Sequence, residues 1–345
     1  MSDNAASCPL PYGNYDRIVL AHGGGGRVTQ GLIDGLFRRA FCDAELDRAH
    51  DGAVVETSAR TAITTDGYTV HPLFFPGGNI GSLAVCGTVN DLAMCGARPD
   101  YLSVAFVLEE GLPLRTLERV VSSMAEVARA VGVRIVTGDT KVVERGKGDG
   151  IYITTTGVGA VVPAQAPDPQ RVRSGDAILV SGPVGEHGIA VLSVREGIAF
   201  ETALRSDVAS VAVSVLALFA AGIDVRCLRD PTRGGLATAL AEIAKTAGLG
   251  MLIDEGAIPV RPEVEDACEL LGLDPLYVAC EGRFIAIVDP RDASRAIDLI
   301  DRTTGGGAVL IGHVRAEPAL VVLRSRAQRD RVLDILSGEQ LPRIC

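Results

Sequence analysis

Four aspartates stand in short motifs built from Gly, Thr and Pro: Asp66 in TTDG, Asp91 in GTVNDLAMCG, Asp139 in TGDTK and Asp230 in RDPTRGG. Each is read at the end of a strand or the start of a helix, where an aspartate alone also suits a turn or a cap. Asp91 is the most informative. The pair Asn90-Asp91 interrupts an otherwise apolar helical run, and an unpaired buried carboxylate costs several kcal/mol. A compensating cation is the economical explanation. Carboxylates with carbonyls and water are the ligand set of Mg²⁺ bridging nucleotide phosphates. Asp66, Asp91, Asp139 and Asp230 are therefore expected metal ligands and, with Asn90 and Thr140, expected nucleotide contacts.

A second group surrounds HGGGGR, which runs from His22 through Gly23, Gly24, Gly25 and Gly26 to Arg27. No GK[ST] follows, so it is not a P-loop. It reads either as a flap whose N–H groups and Arg27 reach phosphates or as a plain hinge. His22 could meet a phosphate or a leaving proton, although a lone histidine is more often structural. Lys141 follows Asp139 by two residues, so on an extended segment both project from one face and set a cation beside a metal ligand. Glu281, in ACEGRF, has apolar flanks whose burial would raise its pKa towards a general base. A simple salt bridge is the alternative for Lys141 and Glu281. Cys345 closes the sequence behind Leu341-Pro342-Arg343-Ile344. A thiol there has no evident packing role, whereas free cysteine is usually buried.

The elements that must position these residues alternate between strand and helix patterns. Strands are expected over residues 60–65, 101–108, 133–137 and 151–158, with a helix capped by Asn79 carrying Asp91. Leu114–Val131, with Pro113 before it and Gly132 after it, has the start and stop signals of an amphipathic helix. Residues 163–176 are rich in Pro and polar side chains and mark a domain boundary. Beyond it, strands over 177–180, 251–253, 284–288 and 308–313 alternate with helices over 208–221, 236–247 and 294–301. An amphipathic segment follows at 326–336. The expected organisation is a leader and glycine loop over 1–45, an α/β nucleotide-binding domain over 46–165, a second α/β domain over 172–336 and a mobile tail over 337–345.

Length and composition agree with a two-domain α/β protein. The 345 residues exceed the roughly 250 that one core usually sustains, and 47% hydrophobic against 22% charged residues is a globular balance. A formal charge of -10 argues against a general binder of nucleic-acid backbone. Eight cysteines without a CxxC pair read as reduced cytosolic thiols, and Cys42, Cys86, Cys95 and Cys227 are expected to matter for stability at most. No apolar run is long enough to span a bilayer, and the start lacks a signal-peptide pattern. A cytoplasmic protein without membrane or nucleic-acid partners is expected.

Taken together, HGGGGR, TTDGYTVHPLFFPGGNIGSLAVCGTVNDLAMCGARP, TGDTKVVERG, SGPVGEHG, RDPTRGGLATALAEIA, ACEGRF and the PRIC ending resemble the HypE family of hydrogenase maturation proteins. These are carbamoyl dehydratases of the aminoimidazole-ribonucleotide synthetase superfamily, which also holds selenophosphate synthetase. The aspartate and glycine motifs mark the superfamily, and the PRIC ending marks the family. The resemblance implies an N-terminal sheet that pairs across a homodimer, with ATP and Mg²⁺ bound near the seam. It implies that Cys345 carries a carbamoyl group, which ATP-dependent dehydration converts to thiocyanate, the source of cyanide for [NiFe]-hydrogenase. Lys141 and Glu281 then lie near the reacting tail, with Glu281 as base and His22 in reserve. A HypF-type carbamoyltransferase and the HypC–HypD complex are the implied partners. Rival readings are another ATP-dependent phosphotransferase of the superfamily, similar to selenophosphate synthetase, and a non-catalytic nucleotide-binding carrier.

Overall fold

The computed structural model describes residues 15–24, 26–47, 53–197, 204–335 and 343–345. Among the described residues it contains two large sheets and a two-stranded ribbon that pairs Phe74–Phe75 with Gly78–Asn79. The first has strands β1 (Thr61–Tyr68), β2 (Ala97–Glu109), β3 (Arg134–Val143) and β4 (Ile151–Val161) in the order β1-β4-β2-β3, with β2 and β3 parallel and the other pairs antiparallel. Helices α1 (Ile80–Met94) and α2 (Leu114–Val131) accompany it.

Sequence explains both helices. The Asn79 side chain accepts hydrogen bonds from Gly81 and Ser82 N–H groups and so caps α1. α2 buries Leu114, Leu117, Val120, Val121, Met124, Ala125 and Ala128, a stripe at helical spacing, and stops where Gly132 takes a φ of 82°. α1 is different, since every one of its residues except Asp91 is buried. It is enclosed by β1, β4, α2 and a helix of the second domain, which accounts for its nearly unbroken apolar sequence.

The second sheet has seven strands, β5 (Ala177–Val180), β6 (Val225–Arg229), β7 (Gly250–Asp254), β8 (Ile285–Val288), β9 (Val309–Arg315), β10 (Val321–Arg324) and β11 (Asp330–Leu333), ordered β11-β10-β7-β9-β5-β8-β6. Only β7 and β10 pair in parallel. Helices α3 (Glu186–Glu196), α4 (Ala212–Ala220), α5 (Gly235–Ala247), α6 (Pro262–Leu271) and α7 (Ala293–Thr304) complete this α/β unit. One apolar core runs through both units, including Leu83 and Val89 of α1, Val215 of α4 and Ile344 of the tail.

Several expectations change. β1 and β3 continue through TTDG and GDTK, so Asp66 and Asp139 lie inside strands rather than at their ends. The helix expected from residue 208 starts only at Ala212, because Ser206 Oγ accepts from Val208 N–H and Asn90 Oδ1 from Val211 N–H. Helices α3 and α6 carry no expectation from the sequence. The amphipathic segment at 326–336 turns at Gln328, with a φ of 57°, and forms β11 of a hairpin with β10.

Candidate active site

Asp66, Asp91, Asp230, Glu281 and Cys345 line a single cleft of about 460 Å³ between the two sheets. β1 supplies Asp66 together with Thr64 and Thr65, α1 supplies Asp91, and the turn after β6 supplies Asp230. Asp91 Oδ2 accepts from Thr64 Oγ1 at 2.8 Å. Arg229 and Arg233 add positive charge to the same wall. The motif RDPTRGG already brackets Asp230 with these two arginines, a signal that concentrating on the aspartate passes over.

The electrostatics follow from burial. Desolvation raises the Asp91 carboxyl, which Thr64 partly offsets and Asp66 reinforces. Asp230 is pushed up to about 7 by desolvation and then by the Asp91 charge. Glu281 is 3% exposed, and its Oε1 has no hydrogen-bond partner among the described residues. Desolvation, followed by the charges of Asp230, Asp207, Asp66 and Asp91, raises its pKa well above the ordinary carboxylate range. The shift is in the direction anticipated for Glu281: burial and its acidic neighbours favour the protonated carboxyl.

ACEGRF is fixed by Asp207, a residue with no recognisable sequence signal. Its carboxylate accepts from Glu281 N–H at 3.2 Å and Gly282 N–H at 3.3 Å and faces Arg283 at 3.7 Å. A Cβ on Gly282 would collide with the Asp207 carbonyl, so the loop needs glycine there. Asn90, expected as a nucleotide contact, has a structural part as well. It is 2% exposed, its Nδ2 donates to Ala209 O and Glu281 O, and its Oδ1 accepts from Val211 N–H. Its side chain ties α1 to the second domain, with both Nδ2 hydrogens engaged in backbone contacts.

Asp139, Thr140, Lys141 and His22 do not line this cleft. Asp139 and Lys141 lie on β3, both exposed, in an ion pair of 2.7 Å, as the two-residue spacing implied. That bond holds the Asp139 carboxyl below its ordinary range. Asp139 and Thr140 line a smaller hollow of about 130 Å³ with Thr29, Ile33, Phe37 and Phe106. The glycine loop runs beside it, and a Cβ on Gly23 would meet Val142 N at 2.7 Å. Gly24 and Gly26 flank the stretch, Arg27 opens the short helix Arg27–Leu32 and is exposed, and Gly25 lies outside the described residues. His22 is fully buried. Its Nδ1 accepts from Val19 N–H at 3.0 Å and its ring meets Tyr15 edge to face, which is a structural placement.

Cys95 and Cys227, expected to matter for stability at most, also line the cleft with Cys345. Burial raises both thiols, Cys227 to about 12, so both stay protonated. The tail expected to be mobile is docked at its described end, with Ile344 3% exposed.

The donor chemistry of the cleft fits a divalent cation. Carboxylates that raise one another's pKa are relieved by a positive charge, and arginines beside them suit phosphate oxygens. Among the described residues, no three His, Cys, Asp or Glu groups converge tightly enough to hold an ion alone. Phosphate oxygens would have to complete such a shell, and Asp139 is too remote to join it within one chain.

Comparison with known proteins bears on the fold and the family. Residues 49–161 match the model of the AIR synthase related protein N-terminal domain, and residues 173–325 that of the C-terminal domain. The chain is 53% identical over 333 residues to carbamoyl dehydratase HypE of Cupriavidus necator, covering 95% of each. It superposes with a TM-score of 0.93 and 47% identity on a crystal structure of hydrogenase maturation protein HypE in complex with ATP, over 95% of this chain and 99% of that one. A crystal structure of a HypE–HypF complex matches with a TM-score of 0.78 and 42% identity, over 88% and 99% of the two chains. Matches to both AIR synthase related domains and identity along almost the whole chain place this protein in the HypE carbamoyl dehydratase family.

Proposed function

We propose that this protein dehydrates an S-carbamoyl group on Cys345 to a thiocyanate with ATP, supplying cyanide for the Fe(CN)₂CO centre of [NiFe]-hydrogenase. The observation that carries this reading is the seating of Cys345 in the same cleft as Glu281, Asp66, Asp91 and Asp230. The net change removes one oxygen and two hydrogens from S–C(=O)NH₂ and leaves S–C≡N, while ATP becomes ADP and phosphate. Bound Mg-ATP supplies the phosphoryl group that makes the carboxamide oxygen a leaving group.

The chain's own residues do the rest. Asp66, Asp91 and Asp230 would hold the cation, and Arg229 and Arg233, which line the same wall, would meet the phosphates. Glu281 takes a proton from the carbamoyl nitrogen, for which it must first lose its own. A cation among the three aspartates favours that loss by offsetting the negative field that raises its pKa. Seating the reacting group between the cleft walls limits the access of water to it.

The protein acts as a homodimer. β1 and β3 are the edges of a four-stranded sheet, and Ile63 on β1 is 72% exposed, an edge that a second subunit would cover. In that assembly the partner's β3 and glycine loop complete the cleft, placing Lys141, Asp139 and Thr140 against the phosphates. A HypF-type carbamoyltransferase loads Cys345, and a HypC–HypD complex receives the cyanide. The test is mass spectrometry of the peptide bearing Cys345 after incubation with carbamoyl donor, carbamoyltransferase and ATP. A carbamoyl adduct that loses one water only when ATP is present is expected; ATP hydrolysis with no mass change at Cys345 would overturn the reading.

A further inference from the structure

The approach of Cys345 to the cleft is governed by contacts remote from the carboxylates. His187 and Arg195 stand just over two turns apart on α3 and bind two successive carbonyls of the tail. His187 Nε2 lies 3.0 Å from Ile344 O, and Arg195 Nη2 donates to Arg343 O at 2.7 Å. A carbonyl only accepts, so Nε2 carries the proton and Nδ1 accepts from Ser206 Oγ at 2.7 Å. The ring is fully buried, and desolvation pushes its pKa down to about 4, so it stays in this neutral form.

The first domain grips the other side of the tail. Thr69 N–H donates to Cys345 O at 3.1 Å, His71 N–H donates to Arg343 O at 3.3 Å, and Arg343 Nε donates back to Thr69 O at 3.1 Å. Arg343 Nη2 also pairs with Asp149 Oδ2 at 2.6 Å. Arg195 donates to His71 O as well, so the two walls are joined to each other. Between them Ile344 enters the core. Arg343 adopts a left-handed φ of 54°, a costly conformation for a side chain of its kind that these contacts must outweigh.

We infer that His187, Arg195, Asp149 and the 69–71 segment form a socket that reads the dipeptide Arg343-Ile344 and thereby positions Cys345 for dehydration. Main-chain hydrogen bonds set the register, the Asp149 carboxylate selects the arginine, and the apolar slot selects a β-branched aliphatic residue. These are positioning residues, since none of them touches the reacting group. The inference rests on the proposed reaction only for its purpose, because docking of the tail is measurable without ATP.

The experiment is the rate of alkylation of Cys345 by a bulky maleimide in the full chain, resolved by peptide mass spectrometry, with exposed Cys42 as reference. Arg195→Ala and Ile344→Asp should each label Cys345 about tenfold faster, as loss of one charge-assisted hydrogen bond or of the buried side chain implies. Cys42 should label at an unchanged rate. Ile344→Val should behave as the parent, and Asp149→Glu should label more slowly than Asp149→Ala, a pattern that general loosening of the fold would not give. His187→Gln, which keeps an N–H donor, should label more slowly than His187→Ala. In the carbamoylated protein, Arg195→Ala should slow single-turnover dehydration while the dependence on ATP concentration is retained. Equal Cys345 labelling in the parent, Arg195→Ala and Ile344→Asp would overturn the socket. Faster labelling together with no dehydration even in the parent would support the socket and refute the reaction.

Discussion

Two carboxylate-bearing clusters in this molecule reach opposite electrostatic states. In the cleft, Asp91, Asp230 and Glu281 crowd one another in a desolvated space, and their pKa values rise. On β3, Asp139 is exposed and bonded to Lys141, and its pKa falls. The first cluster is poised for a ligand that brings positive charge, whereas the second has its cation within its own sequence motif. Spacing to a lysine two residues away is readable in the chain. Proximity of carboxylates 66, 91, 230 and 281 is made by folding.

The largest expected effect tests the cleft as the reaction site. Cys345→Ser keeps the size of the side chain but removes the thiolate, and it should abolish carbamoyl loading and all coupled dehydration, read as the mass of the tail peptide. Ile344, rather than Cys345, supplies the buried anchor, so folding and nucleotide binding should persist. Next, Glu281→Gln should slow dehydration by on the order of 100-fold, the usual contribution of a general base, with ATP affinity by calorimetry largely unchanged. A parental rate would remove Glu281 from the mechanism.

The two clusters can then be tested for union across subunits. Lys141→Ala and Glu281→Gln proteins should each be impaired, yet random mixing of the two subunits should restore about a quarter of the activity, because half the dimers hold one intact composite site. No recovery after exchange would leave the β3 cluster without a part in the cleft.

A smaller effect concerns what holds the cleft together. Asn90→Ala should cost about 3 kcal/mol in denaturant unfolding, since three backbone groups lose their partner and two of the three bonds are buried. A change below about 0.5 kcal/mol, the range of surface substitutions, would mean that the Asn90 amide does not tie α1 to the second domain.

The smallest effect is thermal and depends on pH. Asp230 has its folded pKa raised from 3.8 to about 7, so its contribution is fully present below pH 3.8 and lost as pH rises through 7. Asp230→Asn should remove that loss and flatten the decline in melting temperature between pH 4 and 7 by a few degrees. An unchanged slope would mean that the carboxylates are not coupled.

Local pattern carried much of this fold. The Asn79 cap, the stripe and Gly132 stop of α2 and the alternation of strands with helices are short-range features, legible because each depends on residues within a few positions of one another. The limits of β1 and β3 were not, because pairing with β4 and β2 extends them past residues that suit turns. α3 was hidden because its buried residues include Glu186, His187 and Ser193, polar groups whose partners come from other segments.

The sequence by itself determined the chemical inventory: the aspartate motifs, the Asp139-Lys141 pair, the glycine loop and a cysteine behind Arg343-Ile344. Tertiary structure decided the roles. It used the Asn90 amide to tie α1 to the second domain, buried His22, gave Asp207 two backbone hydrogen bonds in ACEGRF and set Cys345 in one cleft with Glu281. The physical reason is that pKa and hydrogen-bond satisfaction depend on what lies within a few ångströms, and for a buried group those neighbours are mostly distant in the chain.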